Sequence, residues 1–102
     1  MNYIRNLKDY KSHINHLYDR ANNIINEFNH TLIFNDSEIN TCYGLNNLTH
    51  NEATYIKMFL SDILFFDYNY IPNIKMKRRY NRIEEYVEYD FHIWAEPRED
   101  ID

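Results

Sequence analysis

Histidines near the start of the chain are the residues whose spacing could support metal chemistry. His13 and His16 lie three positions apart in a stretch with helical periodicity, and Asp9 lies one turn earlier. Imidazole and carboxylate groups on one helix face can bind a transition metal. No glutamate lies between the two histidines, as it does in metalloprotease helices. Solvated surface histidines explain the pattern better, so we expect no metal site and no cofactor.

Cys42 is the only cysteine and therefore cannot form a disulfide within the chain. A catalytic cysteine needs a site that stabilises its thiolate and a base close to it. His30 and His50 are the nearest histidines, and neither lies at a recognisable catalytic spacing. Gly44 is the only glycine, which excludes glycine-rich phosphate and dinucleotide loops. We therefore predict that the protein is not an enzyme and that Cys42 is a small packed residue.

A dense basic cluster begins after Pro72, and an acidic segment follows it. Basic side chains with tyrosines nearby are typical of nucleic-acid-binding surfaces, and the cluster comprises Lys75, Lys77, Arg78, Arg79 and Arg82. We expect these residues to form salt bridges with the acids that follow them, which are Glu84, Glu85, Glu88 and Asp90. Such pairing would neutralise the basic cluster, and the net charge of −5 also opposes binding to polyphosphate. Direct nucleic-acid binding is therefore not expected.

The C-terminal segment of residues 84–102 is the most acidic part of the chain, with Arg98 as its only basic residue. Acids on an exposed surface can occupy a basic groove that normally holds DNA or RNA, although ordinary solubilising charge explains them too. Aromatic side chains among these charges are frequent anchors of protein interfaces. The predicted partner-binding residues are Glu84, Tyr86, Glu88, Asp90, Trp94, Glu96, Glu99 and Asp100.

Two helices are predicted to support these residues. Apolar residues recur at alternating spacings of three and four over residues 3–29, which predicts a long amphipathic helix that packs on the core or pairs with a second copy. The apolar run Tyr55–Phe66 follows Thr49 and Glu52, a capping-box pair. This run predicts a central helix over residues 50–67, which is too short and too charged to span a membrane.

Strict alternation of apolar and charged residues predicts a β-hairpin over residues 74–94. A two-residue turn at Asn81-Arg82 places apolar residues opposite each other and Arg79 opposite Glu84. Arg82 suits a tight hairpin turn poorly, so a longer loop is the alternative. A third helix from Asn73 to Asp90 competes with the hairpin, but the β-branched and aromatic residues favour strands.

The remaining segments complete an α+β prediction. Residues 31–34 and 39–43 are predicted as short strands, and residues 44–47 as a loop. The expected fold is one domain of residues 1–102, in which two helices pack on a small antiparallel sheet in the order α-β(β)-α-β-β. Its acidic tail is expected to be flexible from about residue 96.

Size, charge and codon bias together suggest a function. The chain has 102 residues and is rich in asparagine, isoleucine and tyrosine, whose codons are A/T-rich. No apolar signal segment follows Met1, so a cytoplasmic location is expected. We predict a non-enzymatic protein-binding module, specifically a small inhibitor from a virus or mobile element. It would occlude a host nucleic-acid-handling enzyme, such as a CRISPR effector or a restriction enzyme. The alternative is a structural or regulatory homo-oligomer assembled through the first helix.

Overall fold

The computed structural model describes residues 7–31 and 38–98, with side chains from residue 12 to 27 and from 38 to 98. The predicted α+β class is confirmed, and the observed order is α-β-α-β-β. The elements are α1 (Leu7–Thr31), β1 (Ile39–Asn46), α2 (His50–Asp62), β2 (Tyr70–Asn81) and β3 (Tyr86–Pro97). A π-helical segment, Ile63–Asp67, continues α2.

The start of α2 is the capping box that the sequence predicts. The Thr49 hydroxyl oxygen accepts a hydrogen bond from the backbone N–H of Glu52 at 3.1 Å. In return, Glu52 Oε1 accepts one from the backbone N–H of Thr49 at 2.8 Å. These bonds satisfy backbone donors near the start of the helix that have no intrahelical partner. Together, α2 and the π-helical segment span the predicted central helix.

The hydrophobic core lies between the helices and the inner face of the sheet. In α1, apolar residues one turn apart are buried and the helix packs on α2, while α2 and the π-helical segment contact β2. Phe66 was expected to widen the apolar face of the central helix, but its side chain is mostly exposed. None of the helices in the described part of the chain is long and apolar enough to cross a membrane. The largest fully buried side chains are Leu17, Ile25, Ile56, Leu60, Ile63, Leu64, Phe91 and Ile93.

The sheet is antiparallel with β3 in the centre and β1 and β2 at its edges. The hairpin of β2 and β3 is confirmed, but the predicted register is wrong, because Arg79 lies opposite Glu88 rather than Glu84. The connection is a four-residue loop over residues 82–85 instead of a two-residue turn. Because the pairing moves by four residues along β3, an even number, every side chain keeps its predicted face.

Side-chain hydrogen bonds and one unusual backbone conformation explain the longer loop. Asn81 Oδ1 accepts hydrogen bonds from the backbone N–H groups of Ile83 and Glu84, at 3.0 and 3.1 Å. This is the local hydrogen bonding that asparagine offers in turns. Glu85 adopts a left-handed conformation, with φ of 56°. A two-residue turn would have required two successive left-handed residues at positions occupied by Asn81 and Arg82.

The middle of the chain differs from its prediction at both ends. Thr31 closes α1 rather than opening a strand, and residues 32–34 lie outside the described residues. Residues 44–46, expected to begin a loop, belong to β1 because the ladder with β3 continues through Gly44 to Asn46. At the C-terminus, β3 extends through Glu96 and Pro97, and only the tail residues 99–102 lie outside the described residues.

Candidate functional site

One face of the sheet is left uncovered by the described helices, and we call it the open face. Alternate residues of β3 point inward and are buried, whereas the residues between them point outward. The outward set mixes charged, amide and aromatic side chains, as expected for the solvated side of an antiparallel sheet. The open face comprises Asn40, Cys42, Gly44, Ile71, Asn73, Lys75, Lys77, Arg79, Tyr86, Glu88, Asp90, His92, Trp94 and Glu96.

Arg79 forms salt bridges at the end of the open face nearest the hairpin loop. Its guanidinium contacts Glu88 Oε2 at 2.8 Å and Asp90 Oδ2 at 3.0 Å. The hydrogen bond to Asp90 and the charges of both carboxylates raise the pKa of Arg79 above its usual value. The predicted cross-strand salt bridging is thus confirmed for Glu88 and Asp90. Arg79 thus holds both carboxylates and compensates one of their two negative charges within the sheet.

Gly44 gives the carboxylates space on the neighbouring strand. A Cβ atom at this position would overlap the carboxylate of Glu88 and would lie 3.3 Å from Asp90 Oδ1. Gly44 also pairs with Asp90 in the register of β1 and β3. The missing side chain therefore lets Glu88 lie across β1 while it holds Arg79. This requirement for close approach explains the single glycine of the chain.

The other end of the open face is aromatic and apolar. Trp94 is 46% exposed and Ile71, on the neighbouring strand, is 55% exposed. With Asn73 and Glu96 they line a shallow open pocket of about 320 Å³. The indole N–H of Trp94 donates a hydrogen bond to Glu38 Oε1, which orients the ring. We call Glu38, Ile71, Asn73, Trp94 and Glu96 the Trp94 patch.

Polar side chains occupy the centre of the open face. His92 Nε2 lies 2.8 Å from Asn40 Oδ1, and Cys42 is the register partner of His92. Cys42 is exposed, so its predicted packing is wrong, and the reason is that its position on β1 points outward. No cluster of three or more metal-ligating side chains occurs among the described residues.

His16 of α1 faces solvent, whereas His13 lies beside an acidic residue. His16 is exposed, as expected for a surface histidine. His13 Nε2 lies 3.6 Å from Glu52 Oε2, so it borders the capping box of α2. Asp9, the third member of the hypothetical metal group, has no described side chain. The described contacts give these histidines a place on the helix surface beside α2.

The predicted partner-binding residues are distributed over both ends of the hairpin. Glu84 is exposed in the loop, and Tyr86 is half-buried beside it. Trp94 and Glu96 come together in the Trp94 patch, while Glu99 and Asp100 lie outside the described residues. Sequence reasoning missed Ile71, because the hairpin was predicted to begin only at residue 74, whereas β2 begins at Tyr70. Continuing the alternation of β2 backwards by two residues from Asn73 would have identified it.

Comparisons of the chain with family models, curated proteins and solved structures give no significant match. Its function must therefore be argued from the geometry of its own residues.

Proposed function

We propose that this protein is a non-enzymatic protein-binding module that contacts its partner through the Trp94 patch. The observation that carries the proposal is a half-exposed tryptophan beside an exposed isoleucine on an uncovered sheet face. Tryptophan is enriched among the residues that dominate binding energy, especially where neighbouring groups exclude water around it. Asn73 and Glu96 flank Trp94 and supply such a polar rim.

The partner we propose is a host nucleic-acid-handling enzyme, such as a CRISPR effector or a restriction enzyme. Glu38 and Glu96 place negative charge beside Trp94, and acids around an aromatic anchor complement a basic groove. The protein would act by occluding that groove, as a small inhibitor encoded by a virus or a mobile element. The negative net charge and the A/T-rich coding bias of the sequence support this origin.

The Arg79 salt bridges change which acids should matter for binding. Glu88 and Asp90 already hold a guanidinium, so a partner would have to compete with Arg79 for them. Glu96 is exposed and forms no salt bridge among the described residues. Recognition should therefore depend on Trp94 and Glu96 more strongly than on Glu88 and Asp90.

The first test uses Trp94→Ala and Tyr80→Ala as matched baits in an affinity capture from a low-G+C bacterial lysate, with and without nuclease. Tyr80 is a similarly exposed aromatic residue at the opposite end of the hairpin. We expect a nuclease-resistant partner that the wild type and Tyr80→Ala capture and Trp94→Ala does not. With the purified partner, Trp94→Ala should weaken the Kd by about 30-fold or more, as expected for a hot-spot residue.

Activity measurements on the captured partner complete the test. The protein should inhibit the enzyme's action on nucleic acid, and Trp94→Ala should relieve that inhibition at equal concentration. Circular dichroism of both variants checks that the fold is retained. Equal binding by Trp94→Ala and Tyr80→Ala would refute the Trp94 patch as the contact surface. A bound partner whose activity stays unchanged would refute the inhibitory role.

A further inference from the structure

The basic cluster on β2 is not neutralised as the sequence suggested. Of its five residues, Arg79 alone forms an ion pair within the described part of the chain. The other four cations lack the acidic partners that were expected for them, because Glu88 and Asp90 bind Arg79. Glu84 and Glu85 lie in the exposed loop. Lys75, Lys77, Arg78 and Arg82 therefore remain as exposed cations without a salt bridge among the described residues.

These four cations surround the outer edge of the sheet. β2 is an edge strand, and Lys75 and Lys77 project from it onto the open face. Arg78 projects onto the opposite face of the sheet, past the part of that face that the helices cover. Arg82 is the first residue of the hairpin loop. Residues two apart on a strand are spaced by about 6.6–6.8 Å. Lys75 and Lys77 thus lie side by side on the open face, and Arg78 and Arg82 extend the positive charge to the other face of the edge strand and to the loop.

An exposed aromatic ring lies beside these cations. Tyr80 is 53% exposed and lies two residues from Arg78, on the same face of β2. Alternating cationic and aromatic side chains along an extended surface can contact the phosphates and stack on the bases of a single strand. Tyr80 and Arg78 give this hairpin both kinds of contact.

The acids of the Trp94 patch are too far away to cancel this charge at physiological salt. Glu96 pairs with Ile71, four residues before Lys75 on β2, which corresponds to about 13 Å along the strand. The screening length at physiological ionic strength is about 8 Å. Lys77 does lie opposite Asp90, but that carboxylate is bound by Arg79. Glu84 and Glu85 share the loop with Arg82 and offset its charge, so the positive charge of this edge is densest at Lys75, Lys77 and Arg78.

From these observations we infer that the β2 edge, made of Lys75, Lys77, Arg78, Tyr80 and Arg82, is a binding surface for single-stranded nucleic acid. Binding is independent of base sequence, because the contacts are to phosphates and to the faces of the bases. This surface borders the Trp94 patch, because Lys75 lines a small pocket with Asn73, His92 and Trp94. The inference does not depend on the proposed function, and oligonucleotide binding and partner capture test the two proposals separately.

The test is fluorescence anisotropy with a labelled oligothymidylate of about 20 nucleotides. Four phosphate contacts predict a slope of about −2.8 in the plot of log affinity against log salt concentration. Affinity should then fall about 50-fold between about 50 and 200 mM NaCl. Absence of binding at the lower salt concentration would overturn the inference.

Two double variants with equal net charge locate the binding surface. Lys75→Gln/Lys77→Gln and Arg20→Gln/Lys57→Gln each remove two positive charges, so each changes the net charge from −5 to −7. The first pair should weaken binding at least about fivefold and lower the slope to about −1.4, because two phosphate contacts are lost. The second pair lies on the helices and should change neither quantity by as much. Equal effects of the two pairs would refute the β2 edge as the site.

Competition distinguishes nucleic acid from an acidic polypeptide. Unlabelled oligothymidylate should displace the probe at lower concentration than polyglutamate of equal charge, because only the nucleic acid can stack on Tyr80. Tyr80→Leu should abolish this preference while leaving the salt slope unchanged. Stronger competition by polyglutamate would show that the edge binds acidic protein segments and would overturn the inference.

Discussion

At the scale of single residues, the Tyr43 hydroxyl connects β1 to α1 through a hydrogen bond to Glu27. Partial burial, followed by the charge of Glu27 and that hydrogen bond, raises the pKa of Tyr43 above its usual value of 10.0. The raised pKa means that the folded state favours the neutral phenol. The resulting stability is fully present below pH 10.0 and is lost as pH rises through the higher folded pKa.

We therefore expect the free energy of unfolding to fall more steeply above pH 10.0 in the wild type than in Tyr43→Phe. At neutral pH the variant should be less stable by about 1 kcal/mol, because it lacks the hydrogen bond. Urea unfolding followed by circular dichroism, at neutral pH and at several values above 10.0, measures both effects. If both proteins lose stability in parallel, the pH dependence comes from other tyrosines.

At the scale of elements, the capping box fixes where α2 begins and thus how its apolar face meets the sheet. Thr49→Ala removes the acceptor for the Glu52 N–H and should lower the free energy of unfolding by about 1 kcal/mol. Thr54→Ala is the control. The Thr54 hydroxyl donates a hydrogen bond to the backbone carbonyl of His50, which can also accept a backbone hydrogen bond within the helix. Thermal and urea unfolding should show that Thr49→Ala is clearly less stable than Thr54→Ala. Equal stabilities would mean that packing alone sets the start of the helix.

The sequence predicted elements whose signals are local and missed features that depend on partners distant in the chain. The capping box, the periodicity of α2 and the alternation of β3 are local, and each correctly assigned an element or a face. The pairing of Arg79 depended on loop geometry, which Asn81 side-chain hydrogen bonds and a left-handed Glu85 determine. The extent of β1 through Gly44 depended on pairing with β3, which no local pattern of β1 reveals.

The candidate site, like the fold, was predictable only where its signals are local in the sequence. Alternation correctly placed Trp94 on an outward face with Glu88 and Asp90, because side-chain direction in a strand follows residue parity. Glu96 was expected in the flexible tail, whereas β3 extends through it. It did not reveal that Arg79 holds Glu88 and Asp90 together, nor that Ile71 lies beside Trp94. Both facts require the register between two strands, which the four-residue loop determines. The sequence therefore identified the residues of the face but not their neighbours.

At the scale of the whole molecule, the open face carries two different chemistries at its ends. The Trp94 patch is aromatic and acidic, and the β2 edge near the hairpin loop is cationic. Between them lie polar side chains such as His92 and Asn40, which contact each other. A partner enzyme at one end and its nucleic acid at the other could therefore be contacted at the same time. The surfaces meet at Lys75, which lines a small pocket with Trp94, but partner capture and oligonucleotide binding are separate measurements, so each proposal can fail without the other.

The use of the α1 apolar face within one molecule leads to a final prediction. Leu17, Ala21 and Ile24 belong to the predicted heptad seam, and all three are buried in the monomer, where α1 packs on α2. A second copy could bind this seam only if α1 left its own core. We therefore expect sedimentation equilibrium to give the monomer mass at every concentration tested. A mass that rises with concentration would instead support the homo-oligomer.

Substitutions on α1 separate folding from association. Leu17→Ala should lower the free energy of unfolding by about 2–5 kcal/mol, as large-to-small changes in a packed core do, and should leave the mass of the folded fraction unchanged. Asn23→Ala, on the exposed side of the same helix, should alter neither stability nor mass appreciably. If α1 formed a dimer seam, Leu17→Ala would convert dimers into folded monomers. The burial of Leu17 instead predicts that this variant loses stability and not a partner.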